Sequence, residues 1–476
     1  MKRKFYFLIV FCALVQLVQA QDKWDLKRSV EYALANNISV KQADIQSRFA
    51  ELTLKQGRLS QFPTLNMGGN VGYSSGRNQD PTTFSLITTG YLSSGFSLQS
   101  GVDLFNWFSK KNTISGNALD AEAARASVDK VKNDIALNVA VAYLQVLLAR
   151  EQANVSLVQV QQTEAQLRNT RRLVEVGSLP ELNAAELEAQ LARDSSTLVT
   201  TQASAIQSIL QLKALLNVDA AAPFDVITPP VEQIPVESLA ALQPDLVYQL
   251  ALQNLPLQRV NDFRIKAADK YVEASRGAMY PTFSSFLSLG TNFNNQARDI
   301  DLNTLTPRTD TVGSVNVNGT PYSVVRPGFG YDVKNVPYFA QFDQNFRQSI
   351  GLSVSIPIFN GGILRTAYQR SKLTVENLKL TRDLDNQTLK QDIYSAYNDA
   401  TAAIQKYNAS RKSVETAEKA VNFANRRYEI GLLGTLDLIT NQNNLFRARI
   451  DMLAAQYDYV FKLKLLEFYR GQGLKL

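Results

Sequence analysis

The side chains that most often carry enzyme chemistry are nearly missing from this chain. Its 476 residues include no histidine, four methionines and one cysteine, Cys12. General acid–base catalysis uses histidine more than any other residue, and protein zinc sites depend on His or Cys ligands. No phosphate-binding glycine loop is present, and Asp and Glu are scattered along helical segments. We therefore expect no catalytic residue, no cofactor and no metal site.

The charge distribution gives no sign of a nucleic-acid partner. The chain carries 50 Lys and Arg against 43 Asp and Glu, and three of the basic residues are Lys2, Arg3 and Lys4 at the very start. No dense basic block follows them. Because nucleic-acid backbones are bound by clusters of Lys and Arg, we expect no nucleic-acid partner.

Residues 1–20 have the pattern of an export signal. A basic start precedes an apolar run from Phe5 to Val18, and Ala20 stands at a plausible cleavage point. This run is shorter than the roughly 20 apolar residues of a membrane-spanning helix, so we expect cleavage near residue 21. The predicted mature chain then lacks Cys12 and has no disulfide. We expect no later segment to be apolar enough to span a membrane as a helix.

The rest of the chain is an internal duplication. Early in each half, equivalent residues are 218 positions apart, as in Phe62-Pro63-Thr64-Leu65 and Tyr280-Pro281-Thr282-Phe283. Further along, the spacing is 254, as in Glu175-Val176-Gly177 and Glu429-Ile430-Gly431. The difference of 36 residues indicates one insertion in the second half. Gly, Pro, Asn and Asp are frequent there, and we predict a long loop at about 294–345, which the family resemblance described below implies to be extracellular.

These boundaries predict a signal peptide (1–20), a first repeat (21–217), a linker (218–245) and a second repeat (246–471). Each repeat is expected to contain, in order, a helix, two strands, a very long helix and a shorter helix. The linker is rich in proline, with Pro223, Pro229, Pro230, Pro235 and Pro244.

Heptad spacing predicts very long helices over about 107–176 and 361–430. At 1.5 Å per residue, roughly 70 residues make a helix about 105 Å long. Shorter helices at about 37–62 and 180–216 together nearly match one long helix, which suggests a hairpin of one long helix against two stacked short ones. The predicted seam residues are Val128, Val131, Ile135, Val139, Ala142 and Val146, and in the last helix Leu436, Ile439, Asn443, Phe446, Ile450, Leu453, Tyr457 and Val460.

Four segments alternate apolar with small polar residues, as strands with two different faces do. Each is about 10–12 residues long, the length of a tilted strand in an outer-membrane barrel, and aromatic residues lie near the ends. One such strand would fit a half-buried soluble sheet as well, but the set of four favours a membrane barrel. The apolar sets are Leu65, Met67, Val71 and Tyr73; Phe96, Leu98, Val102 and Leu104; Leu287, Leu289 and Phe293; and Ile350, Leu352, Val354, Ile356 and Ile358.

Four strands are too few for a closed barrel, because single-chain membrane barrels begin at about eight strands. An open edge in lipid would leave backbone groups without hydrogen bonds. We therefore expect several copies of the chain to share one barrel.

The duplicated element order, the F/Y-P-T strand entries and the coiled helices together resemble the TolC-like outer-membrane efflux family over nearly all of residues 23–470. The resemblance implies an α+β membrane protein in the bacterial outer membrane. It implies a homotrimer with a twelve-stranded β-barrel, four strands per chain, that continues into a twelve-helix periplasmic tunnel. The implied partners are the lipid bilayer, a periplasmic adaptor protein and an inner-membrane transporter.

The same resemblance implies a passive exit duct for small molecules such as drugs and toxic compounds, gated at the periplasmic tip, and not an enzyme. A type I protein-secretion duct would share this architecture. A periplasmic coiled-coil scaffold would share the helices but not the four alternating strands.

Under this resemblance the turns Gly177-Ser178-Leu179-Pro180 and Gly431-Leu432-Leu433-Gly434 lie at the periplasmic tip, and Thr435 is a candidate helix cap. Asp437 falls where the family carries an acidic residue whose three copies ring the closed entrance. The next acidic position is Thr440 here, the first-repeat equivalent is Asn183, and the family's gate-linking arginine is missing. An ordinary carboxylate in the first turn of a helix explains Asp437 equally well. The candidate gate residues are Asp437, Thr440, Asn183, Gly177, Gly431 and Gly434.

Overall fold

A computed structural model describes residues 23–79, 84–228, 234 and 237–471. The predicted signal peptide and the linker residues Pro229, Pro230 and Pro235 lie outside the described residues. The chain divides into two compact units. The helical unit contains the residues up to Thr53, 117–268 and those from Leu373 onward; the strand unit contains 54–116 and 269–372.

The elements of the first half follow the predicted order. They are α1 (Leu26–Asn36), α2 (Ile38–Leu59), β1 (Thr64–Gln79), β2 (Leu86–Phe105), α3 (Ser109–Glu175) and α4 (Glu181–Leu216). The second half contains α5 (Pro244–Asn254), α6 (Pro256–Gly277), β3 (Thr282–Asn294), β4 (Arg298–Val317), β5 (Thr320–Asn335), α7 (Tyr338–Gln344), β6 (Arg347–Ser355), α8 (Ile363–Glu429) and α9 (Thr435–Tyr469). Both α3 and α8 have 67 residues and end within two residues of the predicted bounds.

The helical segment ahead of each strand pair is broken into two helices, whereas the sequence predicts one. The first break is at Asn37, whose side chain donates to Leu215 O at 2.8 Å and accepts from Ser39 N at 2.8 Å. The second is at the equivalent Leu255, directly before Pro256. Proline disfavours a helical conformation in the residue before it, so the second break follows from the sequence itself.

The predicted seam of α3 forms the main core of the helical unit. Val139 and Val146 are fully buried and share a cluster with Leu212 of α4 and with Tyr457 and Val460 of α9. Contrary to our expectation, α3 contains a stretch apolar enough in composition to cross a membrane. Of that stretch, 44% is buried inside the protein.

The seam predicted for α9 is wrong at its first member. Leu436 is 64% exposed, while Leu438 is fully buried and packs against Ala424 and Tyr428 of α8. The buried residues at the start of α9 are Thr435, Leu438 and Ile439, so the predicted seam is correct at Ile439 but not at Leu436.

Four strands form one antiparallel sheet in the order β1-β2-β3-β6. The register aligns Met67 with Leu98 and Leu98 with Leu289, and Leu287 with Ile350. Since directly paired residues point to the same side of a sheet, the members of the four predicted apolar sets that lie within the strands share one face. That face is open in a single chain: Met67 is 76% exposed and Ile350 is 80% exposed.

Strand lengths differ from the predicted 10–12 residues. Strands β1 and β2 have 16 and 20 residues, and β6 has only nine. Ile356 and Ile358 therefore follow β6 and do not belong to it. Pro357 has no N–H group to donate to a neighbouring strand, which accounts for the early end of β6.

The insertion predicted as a loop is folded, and that prediction is wrong. Strands β4 and β5 pair with each other as a separate two-stranded ribbon, and α7 follows. The ribbon turns at Asn318-Gly319, where both residues have positive φ, 50° and 88°. Asn-Gly is the most favoured pair for such two-residue hairpin turns, so the sequence carried a hairpin signal within its polar composition.

The duplication is also visible in strained backbone. Trp107 and Phe108, between β2 and α3, have φ of 50° and 61°; the equivalent Gly361 and Gly362, between β6 and α8, have φ of 64° and 80°. The left-handed conformation suits glycine and costs other residues about 1–2 kcal/mol each. The same turn geometry is thus built twice, once with aromatic residues and once with glycine.

Candidate gate at the helix turns

The two turns that join the long helices to the following helices have matching geometry. Gly177 and Gly431 have φ of 73° and 74°. After the first, Ser178 N donates to Leu173 O at 2.8 Å; after the second, Leu432 N donates to Arg427 O at 2.8 Å. These bonds satisfy carbonyl groups at the end of α3 and α8, and the left-handed conformation at the turn favours glycine. Helices α3 and α8 therefore end in tight turns at Gly177 and Gly431, as predicted.

The helices after the turns begin differently from the prediction. Thr435 does not cap α9: Gly434 is the N-cap residue, with an ordinary φ of −74°, and Thr435 is the first helical residue. The N-cap of α4 is Pro180. Neither residue provides a side-chain cap, so the first turn of each helix is held by backbone bonds, Asn183 N to Pro180 O at 3.1 Å and Leu438 N to Gly434 O at 3.1 Å.

Asp437 and Thr440 lie together on the exposed side of α9, one turn apart. Asp437 is the acidic residue of the first helical turn. The Thr440 hydroxyl donates to Leu436 O at 2.8 Å, so its side chain is held against its own helix. Asn183 is half-buried near the start of α4, and within the described part of one chain no hydrogen bond joins it to Asp437. Asp437 is free to face a neighbouring molecule or water.

Apolar contacts bring the two turns together. Leu179 of the first turn and Leu433 of the second pack against one cluster, which contains Ala424, Tyr428 and Leu438. A second cluster joins Ile439 of α9 to α3 and α4 through Leu167, Ala184 and Leu187. The exposed Asp437 and Thr440 are thus carried by a helix whose opposite side is anchored to both halves of the chain.

A chain of buried hydroxyl groups, which no sequence pattern predicted, crosses the same region. Tyr428 Oη lies 3.1 Å from Thr170 Oγ1 of α3 and 3.4 Å from Thr435 Oγ1 of α9. Thr170 is 1% exposed and Thr435 is 2% exposed. A hydrogen bond between buried hydroxyls holds its partners because separating them in a dry site leaves polar atoms unpaired. Tyr428 therefore links the two hairpins near both turns.

Further from the turns, a buried polar layer joins α3, α4 and α9. Asp194 is 7% exposed and accepts hydrogen bonds from Thr163 Oγ1 at 2.6 Å and Gln190 Nε2 at 2.7 Å. Gln190 Nε2 also lies 3.1 Å from Asn443 Oδ1, and Asn443 is one of the predicted seam residues. A polar residue at a seam position fixes which residues of two helices face each other. The layer therefore fixes the register of the helices behind the turns.

Four arginines precede the turns, two at the end of α3 and two at the end of α8, and two of the four make contacts within the chain. Arg171 forms an ion pair with Glu188 of α4 at 2.6 Å, and both side chains are about half exposed. Arg427 donates to Leu432 O at 3.3 Å. Arg172 and Arg426 are exposed at the surface. Exposed ion pairs contribute little stability, about 0–1 kcal/mol.

The described residues contain no cluster of three or more His, Cys, Asp or Glu that would hold a metal ion. They combine a four-stranded sheet that exposes one apolar face with paired long helical hairpins that end in glycine turns. This combination defines an outer-membrane channel protein of the strand-and-helix type.

Comparison with known proteins gives the family. Residues 30–218 and 247–472 match the family described as outer membrane efflux protein, and the chain belongs to this family. It is 22% identical to the outer membrane efflux protein BepC of Brucella suis, over 82% of this chain and 73% of BepC. It is 21% identical to the outer membrane protein TolC of Escherichia coli, over 92% of this chain and 80% of TolC.

Among solved structures, the fold resembles that of CusC, a transmembrane channel, with a TM-score of 0.74. The alignment covers 96% of this chain and 93% of CusC at 17% identity. The predicted family, the outer-membrane location, the α+β channel fold and the export function are thereby confirmed. The family is one of passive channels, which agrees with the expectation of a protein that is not an enzyme.

Proposed function

We propose that three copies of this chain share a twelve-stranded outer-membrane barrel, and that their helical hairpins enclose a periplasmic tunnel. The observation that carries this proposal is the four-stranded sheet, in which β1 and β6 stand at the edges. An unpaired strand edge in lipid is costly because each backbone group without a hydrogen bond costs several kcal/mol. The edge strands of one copy must therefore pair with those of its neighbours.

The duplication predicts how the edges pair. The pairing of β1 with β2 has the same register as the pairing of β3 with β6. Met67 lies opposite Leu98 in the first repeat; the equivalent residues, Ser285 (218 positions later) and Leu352 (254 positions later), lie opposite each other in the second. Between the repeats, Gln99 of β2 lies opposite Ser288 of β3. The equivalent of Gln99 in the second repeat is Ser353 of β6, and the equivalent of Ser288 in the first repeat is Asn70 of β1. The same register therefore places Ser353 of one copy opposite Asn70 of a neighbouring copy. Both residues lie on the polar face of the sheet, which we assign to the lumen.

This pairing is tested by cross-linking in a Cys12→Ser background, which has no other cysteine. The double variant Asn70→Cys with Ser353→Cys is expected to form disulfide-linked trimers under mild oxidation, since directly opposed residues are within disulfide reach. The matched control, Asn70→Cys with Ser349→Cys, places the second thiol four residues out of register. Monomeric protein with no cross-link in either variant would contradict the shared barrel.

We further propose that the channel is the exit duct for small molecules delivered by an inner-membrane transporter through a periplasmic adaptor protein. Membership of the outer membrane efflux family and the likeness to BepC and TolC support this role. The first repeat, 21–217, and the second, 246–471, would each supply one hairpin to the tunnel. Deleting the gene is expected to sensitise cells to toxic compounds, and co-purification after cross-linking is expected to recover the adaptor.

We assign Asp437 to the closed entrance. Two uncharged residues are assigned to it as well: Thr440, one turn further along α9, and Asn183, the first-repeat equivalent of Asp437. In a trimer three exposed Asp437 carboxylates would form a ring that attracts cations, because like charges held close create a focused potential. Replacing Asp437 with Ala or Asn is expected to weaken cation selectivity and block by multivalent cations in planar bilayers.

The control for this experiment is Glu376→Gln, which removes an exposed carboxylate of α8 that is more than 50 residues before the turn. It should leave selectivity unchanged. If the Asp437 variants conduct with the same selectivity and the same block as the parent protein, Asp437 is only a first-turn carboxylate.

A further inference from the structure

The short helix α7, which follows the ribbon, packs on the apolar face of the sheet. Its Tyr338 ring lies 4.6 Å from that of Phe293, and its Phe342 ring lies 5.6 Å from that of Phe96. The Tyr338 hydroxyl is 3.1 Å from Ser94 Oγ. The strand register puts Ser94 beside Val71 and Phe293, and therefore on the same face as the other apolar residues. The helix thus lies on the side of the sheet that a barrel turns toward lipid.

Buried polar contacts fix α7 in this place. Gln341 is 2% exposed; its Nε2 donates to Asn294 O at 3.0 Å and to Val336 O at 2.8 Å, and its Oε1 accepts from Asn294 N at 2.9 Å. Thr291 Oγ1 donates to Phe342 O at 2.8 Å. These bonds satisfy both the oxygen and the nitrogen of the buried Gln341 side-chain amide. They hold α7 to the backbone of β3 at Asn294 and to the side chain of Thr291.

The contacts leave two large apolar side chains uncovered. Phe339 is 83% exposed and Phe346, just after the helix, is 53% exposed. The charged Asp343 and the polar Gln344 of the same helix are also exposed. An element with apolar rings and charged groups both exposed suits a border between lipid and water.

The position of α7 along the strands agrees with such a border. A first aromatic cluster lies at the helix-proximal end of the sheet, where Phe105 contacts Trp107, Phe108 and Phe283 and Trp107 contacts Tyr280. Phe283 and Phe293 are ten residues apart on β3. At about 3.3 Å per residue and a tilt of about 40°, ten residues rise about 25 Å, the height of the apolar band of an outer-membrane barrel. The two aromatic clusters are one membrane thickness apart.

We propose that α7 is an interfacial helix, with Phe339 and Phe346 placed among outer-leaflet lipids at the border between acyl chains and headgroups. The occupant of this surface is lipid, because the helix continues the apolar strand face that the barrel presents to the membrane. The proposal rests on the shared outer-membrane barrel proposed above. It assigns part of the inserted segment to membrane anchoring, and since Val336 N donates to Ala297 O at 3.1 Å, the base of the ribbon is held at the same border.

The test uses nitroxide labels in phosphatidylcholine vesicles, with one cysteine at a time in the Cys12→Ser background. Phe339→Cys and Phe346→Cys report on the helix, Ile350→Cys on the apolar strand face, and Tyr322→Cys, on the ribbon, is the aqueous control. Collision with dissolved oxygen measures contact with lipid, and collision with a water-soluble nickel chelate measures contact with water. We expect the label at position 339 to collide several-fold less with nickel than the label at 322, and several-fold more with oxygen than with nickel.

Two results would overturn the inference. Nickel access at 339 and 346 equal to that at 322 would place the helix in water; low access to both reagents would mean that protein, such as a second copy, covers it. The label at position 350, on the apolar strand face, tells a wrong placement of α7 apart from a wrong barrel. If the label at 350 reports lipid while that at 339 does not, only the interfacial helix is wrong, whereas nickel access at 350 would refute the barrel itself.

Discussion

At the level of single residues, the candidate gate has an exposed part and a buried part. Glycine turns and the first-turn carboxylate could be located from the sequence, because a glycine after a long heptad pattern marks a helix end. The hydroxyl chain of Thr170, Tyr428 and Thr435 could not be, since its members come from three helices and meet only after packing. Thr435 illustrates the limit: its position suggested a cap, and its hydroxyl points to Tyr428 in the folded chain.

Tyr428 provides a direct test of the buried part. Changing Tyr428 to Phe removes the hydroxyl that contacts Thr170 and Thr435 but keeps the ring, and it leaves buried threonine hydroxyls with fewer partners. We expect a loss of about 1 kcal/mol of stability and a larger single-channel conductance, because the turns are less firmly joined. Planar-bilayer recording and thermal unfolding measure the two effects.

The matched control is Tyr407→Phe, also in α8. The Tyr407 ring stacks on the ring of Tyr459, with 6.1 Å between the ring centroids. It removes a phenol hydroxyl far from the turns and should not alter conductance. Equal conductance of both variants and the parent protein would show that Tyr428 has no part in gating.

Tyr143 gives a pH-dependent prediction. It is 3% exposed, and its hydroxyl donates to Ile227 O at 2.6 Å, so it ties the described start of the linker to α3. Burial, with a smaller effect of the nearby Asp25 carboxylate, raises the pKa of Tyr143 above its ordinary 10.0. Since the folded protein favours the neutral phenol, this stabilisation is complete below pH 10 and is lost as the pH rises through the higher folded pKa.

The expected result is a helical unit that loses stability above pH 10. Tyr143→Phe should be about 1 kcal/mol less stable at neutral pH and should lose less stability than the parent on alkaline titration. Circular dichroism during urea unfolding at several pH values measures both. If the free energy of unfolding of the variant falls with pH above 10 as steeply as that of the parent protein, groups other than Tyr143 cause the alkaline loss of stability.

At the level of elements, the sequence predicted the long helices better than the segments between them. Heptad spacing repeats many times within α3 and α8, so the signal accumulates and the bounds are accurate to two residues. The breaks at Asn37 and Leu255 depend on one residue each, and the first of them depends on a tertiary contact with Leu215 O. The ribbon was missed because its polar composition outweighed a single Asn-Gly turn signal.

The ribbon is expected to be dispensable for assembly. Strands β4 and β5 pair only with each other among the described residues, and Ala297 and Val336 are already joined by a backbone hydrogen bond. Deleting 298–335 and closing the gap with two glycines should leave a trimer with unchanged thermal stability. A larger deletion, 298–344, also removes the contacts of α7 with Phe96 and Phe293 and should lower the melting temperature. If the smaller deletion yields only monomers, the ribbon is an assembly element.

At the level of the whole molecule, the polar face of the sheet sets the charge of the proposed barrel lumen. On the four described strands the charged residues of this face are Asp103 and Arg347. Asp103 is paired with Lys110 at 3.0 Å. Arg347, opposite Gly290, contributes a positive charge at the end of the sheet away from the long helices α3 and α8. In a trimer, three such charges would favour anions at the outer end of the barrel.

Replacing Arg347 with Gln is expected to raise the ratio of cation to anion permeability. The effect should be largest at low ionic strength, because the Debye length shortens as salt is added. Reversal potentials across a salt gradient measure the ratio, and Arg326→Gln on the ribbon is the control with the same change of charge. An identical shift in both variants would mean that Arg347 acts only through the net charge of the protein.

The turns between strands and long helices show what duplication has allowed this chain to do. In the second repeat, Gly361 and Gly362 adopt a left-handed backbone without strain. In the first repeat, Trp107 and Phe108 adopt it at a cost and place their rings in the aromatic cluster with Phe105 and Tyr280. Duplication therefore lets one chain carry two versions of the same turn. The first-repeat version joins the repeats through ring contacts with Tyr280, whereas the second-repeat version has no side chains at these two positions.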